Sequence, residues 1–149
     1  MAYLVPSEFV TKMVDAGESK IFMSTRDTII RAYMAGAILA LAAAMAVTIN
    51  VQTGVPIVGA SFFPVGFCML YLFGFDLLTG VFVLCPLALI DKRPGVTIGG
   101  VLRNWTLVFF GNFAGAFTLT ATASNVMYNG SALTLPAATS QSCVGPSRG

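Results

Sequence analysis

Charged side chains vanish from this chain between Arg31 and Asp76, and again between Asp76 and Asp91. A helix needs about 20 apolar residues to cross the hydrocarbon core of a bilayer, and residues 29–50 supply them. Gly36, Ala40 and Ala44 fall four apart on this first span, a small-residue stripe that lets helix backbones approach closely in lipid. Asn50, Gln52, Thr53, Gly54 and Pro56 then make a short polar turn. Residues 57–90 are apolar again but interrupted, by Pro64 and Gly66, by Gly74 to Gly80, and by Pro86. Two half-helices are predicted there, one to about Phe73 and one from about Val81 to Ile90, around a loop at 74–80. Asp91, Lys92, Arg93, Pro94 and Gly95 have loop composition. Residues 104–128 form the third span, which enters at Trp105 and carries the packing face Gly111-x-x-x-Gly115. The membrane domain is thus 29–128.

The flanks read differently. Within an N-terminal unit of residues 1–28, Phe9, Val10, Met13, Val14, Ile21 and Phe22 recur at roughly helical spacing among charges, after a Pro6-Ser7-Glu8 start. That pattern predicts a short amphipathic helix over 6–22, lying on the membrane surface. Residues 129–149, rich in Ser, Thr, Ala and Pro, are expected to be a disordered polar tail with no further span. Glu8, Asp15, Glu18 and Asp27 mix with Lys12, Lys20 and Arg26 ahead of the first span, so no cleavable signal peptide is read and that span is expected to be retained.

Composition narrows the class. Hydrophobic residues make up 56% of the 149 and charged residues 9%, against roughly 25% charged in soluble domains. The net charge of +2 is scattered, so no nucleic-acid partner is expected. There is no His, which removes the commonest metal ligand and general base. Cys68, Cys85 and Cys143 are far apart and suggest neither a zinc site nor a disulfide framework. No enzyme, metal or cofactor is read from such a set. Lys12, Lys20, Arg26 and Arg31 precede the first span, and Lys92, Arg93 and Arg103 separate the second from the third, whereas the 51–56 turn has no basic residue. The basic side faces the cytoplasm, which places the N-terminus and the 91–103 loop inside.

One acid stands where lipid is expected. A carboxylate at bilayer depth costs about 2.5–3.5 kcal/mol on insertion scales, so it turns to protein or to a watery cavity. Asp76 lies between Gly74 and Gly80 and just ahead of Thr79, a composition that breaks a helix more readily than it continues one. A break with a buried acid in it reads as the lining of a permeation path.

The run Gly74-Phe75-Asp76-Leu77-Leu78-Thr79-Gly80 resembles the G-x-D-L-[FI]-T-[GS] signature of the formate/nitrite transporter family. Ala16-Gly17-Glu18-Ser19-Lys20, Arg103-Asn104-Trp105 and Phe110-Gly111-Asn112 are similar to further family motifs, in the same order, and the resemblance covers roughly residues 6–128. It implies an all-α membrane protein, an aquaporin-like inverted-repeat helical bundle, of which this chain carries one three-helix repeat with a broken second helix. It also implies a pentameric, multi-pass protein of the inner membrane that conducts small monovalent anions such as formate or nitrite. By position, Thr79 would offer its hydroxyl to the anion and Leu77 would form the cytoplasmic constriction. Phe63 would form the periplasmic-side constriction with Phe67 beside it, and Lys20 would approach Asp76 from the cytoplasmic side. Taken singly, Phe63 and Phe67 would also suit plain packing, Lys20 a snorkelling residue and Thr79 a helix cap, while Asp76 could brace the loop without touching substrate.

Family members have six spans, and the resemblance implies a central His on the fifth, whereas this chain has three spans and no His. Phe75, where the family usually has a small residue, and Leu78, where Phe is common, are lesser departures. The expectation is therefore a truncated half that alone forms no selective channel. The alternatives are an inactive membrane fragment or an accessory subunit packing on a full-length partner. An aquaporin-like water pore would call for Asn-Pro-Ala motifs, which the sequence lacks.

Overall fold

The computed structural model describes residues 5–134, and all regular structure among them is helical. The elements are α1 Pro6–Phe22, α2 Thr25–Thr53, α3 Pro56–Phe62, α4 Pro64–Phe73, α5 Leu78–Ile90 and α6 Ile98–Thr134. Three stretches are long and apolar enough to cross a membrane: Thr25–Thr53, Pro56–Phe73 and Ile98–Val126.

Local chemistry explains where these helices start and stop. Pro6 begins α1, with Glu8 in its first turn and Lys20 in its last, both suited to the helix dipole. Ser24 caps α2: its Oγ accepts the Asp27 N–H at 3.2 Å and donates to Asp27 Oδ2 at 2.7 Å. This cap starts the helix a turn ahead of the expected 29. At the far end Gly54 adopts φ 66 and returns its N–H to the Asn50 carbonyl. Pro64 divides α3 from α4 by removing a donor, yet Phe63 keeps helical φ and ψ, so the two continue as one 18-residue stretch. Pro86 lies inside α5 without ending it. The stretch outside helices is 74–77 rather than 74–80, because Thr79 and Gly80 belong to the first turn of α5. α6 runs on to Thr134, so the first residues expected in a polar tail are helical, and 135–149 lie outside the described residues.

Helix packing follows the small residues. A Cβ on Gly36 would overlap the backbone of Asn112, and one on Gly115 the Tyr33 carbonyl, so α2 and α6 are nearly backbone to backbone. Ala32 and Ala35 of α2 and Val108 of α6 are fully buried. α3 and α4 lie on α2, while α5 lies on α1 and α6. Part of the apolar side of α1 meets protein, while Phe9, Val10 and Phe22 remain exposed. Val14, Gly17 and Ile21 are buried, and Gly17 sits so close to the Leu84 carbonyl of α5 that a side chain has no room. The loop after α5 completes this docking, since Arg93 bridges Asp15 at 2.8 Å, Asp91 at 2.9 Å and Glu18 at 3.6 Å.

Candidate functional site

The segment 74–77 is built by its two ends. Gly74, at φ 67, closes α4 by giving its N–H to Tyr71, and the Phe75 N–H reaches back to the Leu70 carbonyl at 3.1 Å. This is a Schellman-type ending, which needs a residue free to adopt the left-handed conformation. Leu77 is extended, with φ −97 and ψ 137, and α5 begins at Leu78 without a capping side chain of its own. Arg31, on the second turn of α2, reaches the Gly74 carbonyl at 3.4 Å.

Asp76 points inward and is 2% exposed. Its Oδ1 pairs with Lys20 Nζ from the last turn of α1, and its Oδ2 has no hydrogen-bond partner. A buried ion pair is favourable only where its geometry offsets the loss of hydration. Close docking of α1 through Gly17 provides that geometry. Lys20 is itself held by its backbone: Asn104 Nδ2 donates to the Lys20 carbonyl at 2.9 Å.

Two cavities flank this segment. The first, about 230 Å³, is lined by Lys20, Phe67, Tyr71, Phe75, Asp76, Leu77 and Thr79 among others. The second, about 460 Å³ and almost wholly apolar, is lined by Leu77, Phe63, Phe109, Asn112 and Phe113 with the small residues Gly36, Ala40 and Ala43. The first space is ample for a small anion with several waters. Of the six residues singled out from sequence, Lys20, Phe67, Asp76, Leu77 and Thr79 share the first cavity, and Phe63 stands on the second. Leu77 alone among them borders both. Phe63 and Phe67 meet edge to face with ring centroids 5.4 Å apart, so the two cavities are also linked by an aromatic pair. Thr79 is exposed in the first turn of α5.

Sequence reasoning passed over two amides as site residues. Asn104 and Asn112 lie on α6, the first 3% exposed and the second half-buried. Asn104 holds Lys20 and accepts from the buried Cys85 thiol at 3.7 Å. Asn112 donates to the carbonyls of Ala32 and Asp76 and accepts the Leu78 N–H. An amide inside an apolar span is the available signal, since it must find partners there. No group of His, Cys, Asp and Glu suited to a metal ion occurs among the described residues.

A family model described as formate/nitrite transporter matches residues 7–144. The chain is 29% identical over 124 residues to the formate channel BtFdhC of Bacillus thuringiensis, a match covering 78% of this chain and 46% of that protein. It is 27% identical over 124 residues to the uncharacterized transporter YrhG of Bacillus subtilis strain 168, covering 78% and 45%. A probable formate transporter of Methanothermobacter thermautotrophicus is 31% identical over 96 residues, covering 59% and 34%. The chain therefore spans about half the length of the first two relatives, or less. No solved structure matches it.

Proposed function

The chain belongs to the formate/nitrite transporter family, and on that premise we propose that it walls a membrane path for small monovalent anions of the formate and nitrite class. α4 and α5 are the two halves of one interrupted span, and the three-helix unit is one repeat of an inverted-repeat bundle. Further helices supply the opposite wall, and copies assemble as a homo-oligomer, a pentamer by family resemblance, in the inner membrane. The N-terminal helix lies on the cytoplasmic side, as the basic residues beside it imply.

One observation carries this reading: Leu77 borders a cavity that holds a cation, a carboxylate and a hydroxyl, and also a cavity that is apolar. An anion entering beside Lys20 meets positive charge, and Asp76, already paired with that lysine, repels it less than a free carboxylate would. To pass Leu77 the anion sheds water, which hydrated or multiply charged ions do only at great cost. The Thr79 hydroxyl, at the start of α5, replaces part of the lost hydration. Phe63 forms the second apolar constriction, with Phe67 beside it.

The test uses accessibility along the path. In membranes holding the full chain with Cys68 and Cys143 replaced by Ser, a Thr79→Cys thiol reacts with a small anionic thiol reagent, and millimolar formate or nitrite slows the reaction. A thiol that reacts only with lipid-soluble reagents, or is indifferent to formate, removes Thr79 from any anion path.

A further inference from the structure

A single amide brackets the residue at which the two cavities meet. Asn112 Oδ1 accepts the Leu78 N–H at 3.0 Å, and Nδ2 donates to the Asp76 carbonyl at 2.9 Å. Leu77 lies between these two peptide groups. The other Nδ2 hydrogen goes to the Ala32 carbonyl at 2.8 Å, so both donors of the amide are used. The first N–H groups of a helix have no partner within it. α5 offers no side chain of its own for this purpose, and Asn112 caps it from 34 positions away.

We infer that Asn112 is the positioning residue of Leu77, fixing the side chain that parts the two cavities. Gripping the peptide groups on both sides of an extended residue fixes the direction in which its side chain leaves the backbone. Of the segment's other ties, those at Gly74, Phe75 and the Asp76 carboxylate act elsewhere, and the Leu77 carbonyl accepts the Gly80 and Val81 N–H groups of α5, which leaves the peptide group between Asp76 and Leu77 to Asn112. Joining α2 to α6 does not require the amide, because Gly36, Gly111 and Gly115 already bring those helices into contact. An apolar side chain of similar size would satisfy that joint without the cost of burying a polar group. This inference rests on the constriction assigned to Leu77 above, but it concerns how Leu77 is held and not what passes it.

Amide hydrogen exchange on the full chain in lipid nanodiscs, read by mass spectrometry, tests it without any anion. In Asn112→Leu the amides from Leu78 to Gly80 exchange about tenfold faster, the scale of one lost hydrogen bond, while protection along α2 and α6 is unchanged. Asn112→Asp in its protonated form keeps the acceptor for the Leu78 N–H and one donor, so in mildly acidic buffer protection at Leu78 returns to near the wild-type level. It also decides the matter if the leucine variant fails to insert. Unchanged exchange at 78–80 in Asn112→Leu overturns the inference. So does a loss of protection spread evenly over α2 and α6, or a failure of Asn112→Asp to protect Leu78. Protection of the Thr79→Cys thiol by formate is a separate measurement, so the anion path and the role of Asn112 can fail independently.

Discussion

Replacing Lys20 by Met keeps the long apolar stem and deletes the ammonium that partners Asp76. The Asp76 side chain is 1% exposed and that of Lys20 15%, so the two halves of this pair are unequally placed. Asp76 is fixed in a short segment held at both ends and has one oxygen without a partner even in the native protein. Removing the cation strands a carboxylate with nowhere to turn, a loss of about 3–5 kcal/mol for a broken buried pair. Asp76→Asn strands the lysine instead. Its flexible stem can swing the ammonium into the adjoining cavity, and the loss is that of one charge-assisted hydrogen bond, about 1.5–3 kcal/mol. Lys20→Met is therefore expected to be the more damaging variant by roughly 2 kcal/mol, more than tenfold in the unfolding equilibrium. The double variant removes both charges and recovers most of the loss. Reversible denaturation in mixed micelles measures this, followed by fluorescence of Trp105, the chain's single tryptophan, whose ring sits 4.5 Å from that of Phe82. Equal losses from the two single variants, or a double variant whose loss is their sum, would refute the reasoning. Either result would mean that the carboxylate is not held as an isolated buried charge.

Gly115→Leu drives a side chain into the Tyr33 carbonyl and should destabilise the α2–α6 joint by about 1–3 kcal/mol. Gly99→Ala, at an open position of α6, should be neutral or gain up to about 1 kcal/mol in the same denaturation assay. Arg93 fastens α1 to the loop after α5, and its guanidinium is held above its ordinary range by the hydrogen bond to Asp91, with Asp15 and Glu18 adding to the effect. A raised folded value means that this contribution is fully present below the unfolded value and is lost only as pH rises through the folded one, in strongly alkaline solution. Protease sensitivity of α1 should thus show no dependence on Arg93 titration through the neutral range. Molar salt should raise that sensitivity by screening the exposed cluster, and Arg93→Gln should abolish the salt effect.

Much of the helical layout was legible because its causes are local. A run of apolar residues long enough to cross a bilayer announces itself, and so does the recurrence of Phe9, Met13 and Val14 among charges on α1. Where a local signal was misleading, a contact from elsewhere had changed its weight. Thr79 and Gly80 have loop composition, yet they sit in the first turn of α5, where backbone N–H groups need no partner within the helix and Asn112 caps Leu78 from α6. Pro64 reads as a breaker, yet Phe63 keeps helical geometry and the stretch continues. The amphipathic pattern of α1 did not announce that Gly17 docks the helix against the Leu84 carbonyl, because that contact comes from α5.

For the site, residue types were readable, and the family resemblance implied the approach of Lys20 to Asp76, but the other partners were not legible. The sequence by itself determined a helical membrane protein with three apolar spans, an acid among them, and the motifs that mark its family. Such properties depend on side chains within a turn or two of each other, or on total apolar length. Tertiary structure alone decided that Asn104 holds the Lys20 backbone, that Leu77 borders both cavities, and that one amide on α6 grips the peptide groups on either side of it. These pairings depend on which helices approach closely enough to touch. Glycines at the crossings set that distance, and a glycine in sequence does not say which backbone will lie against it.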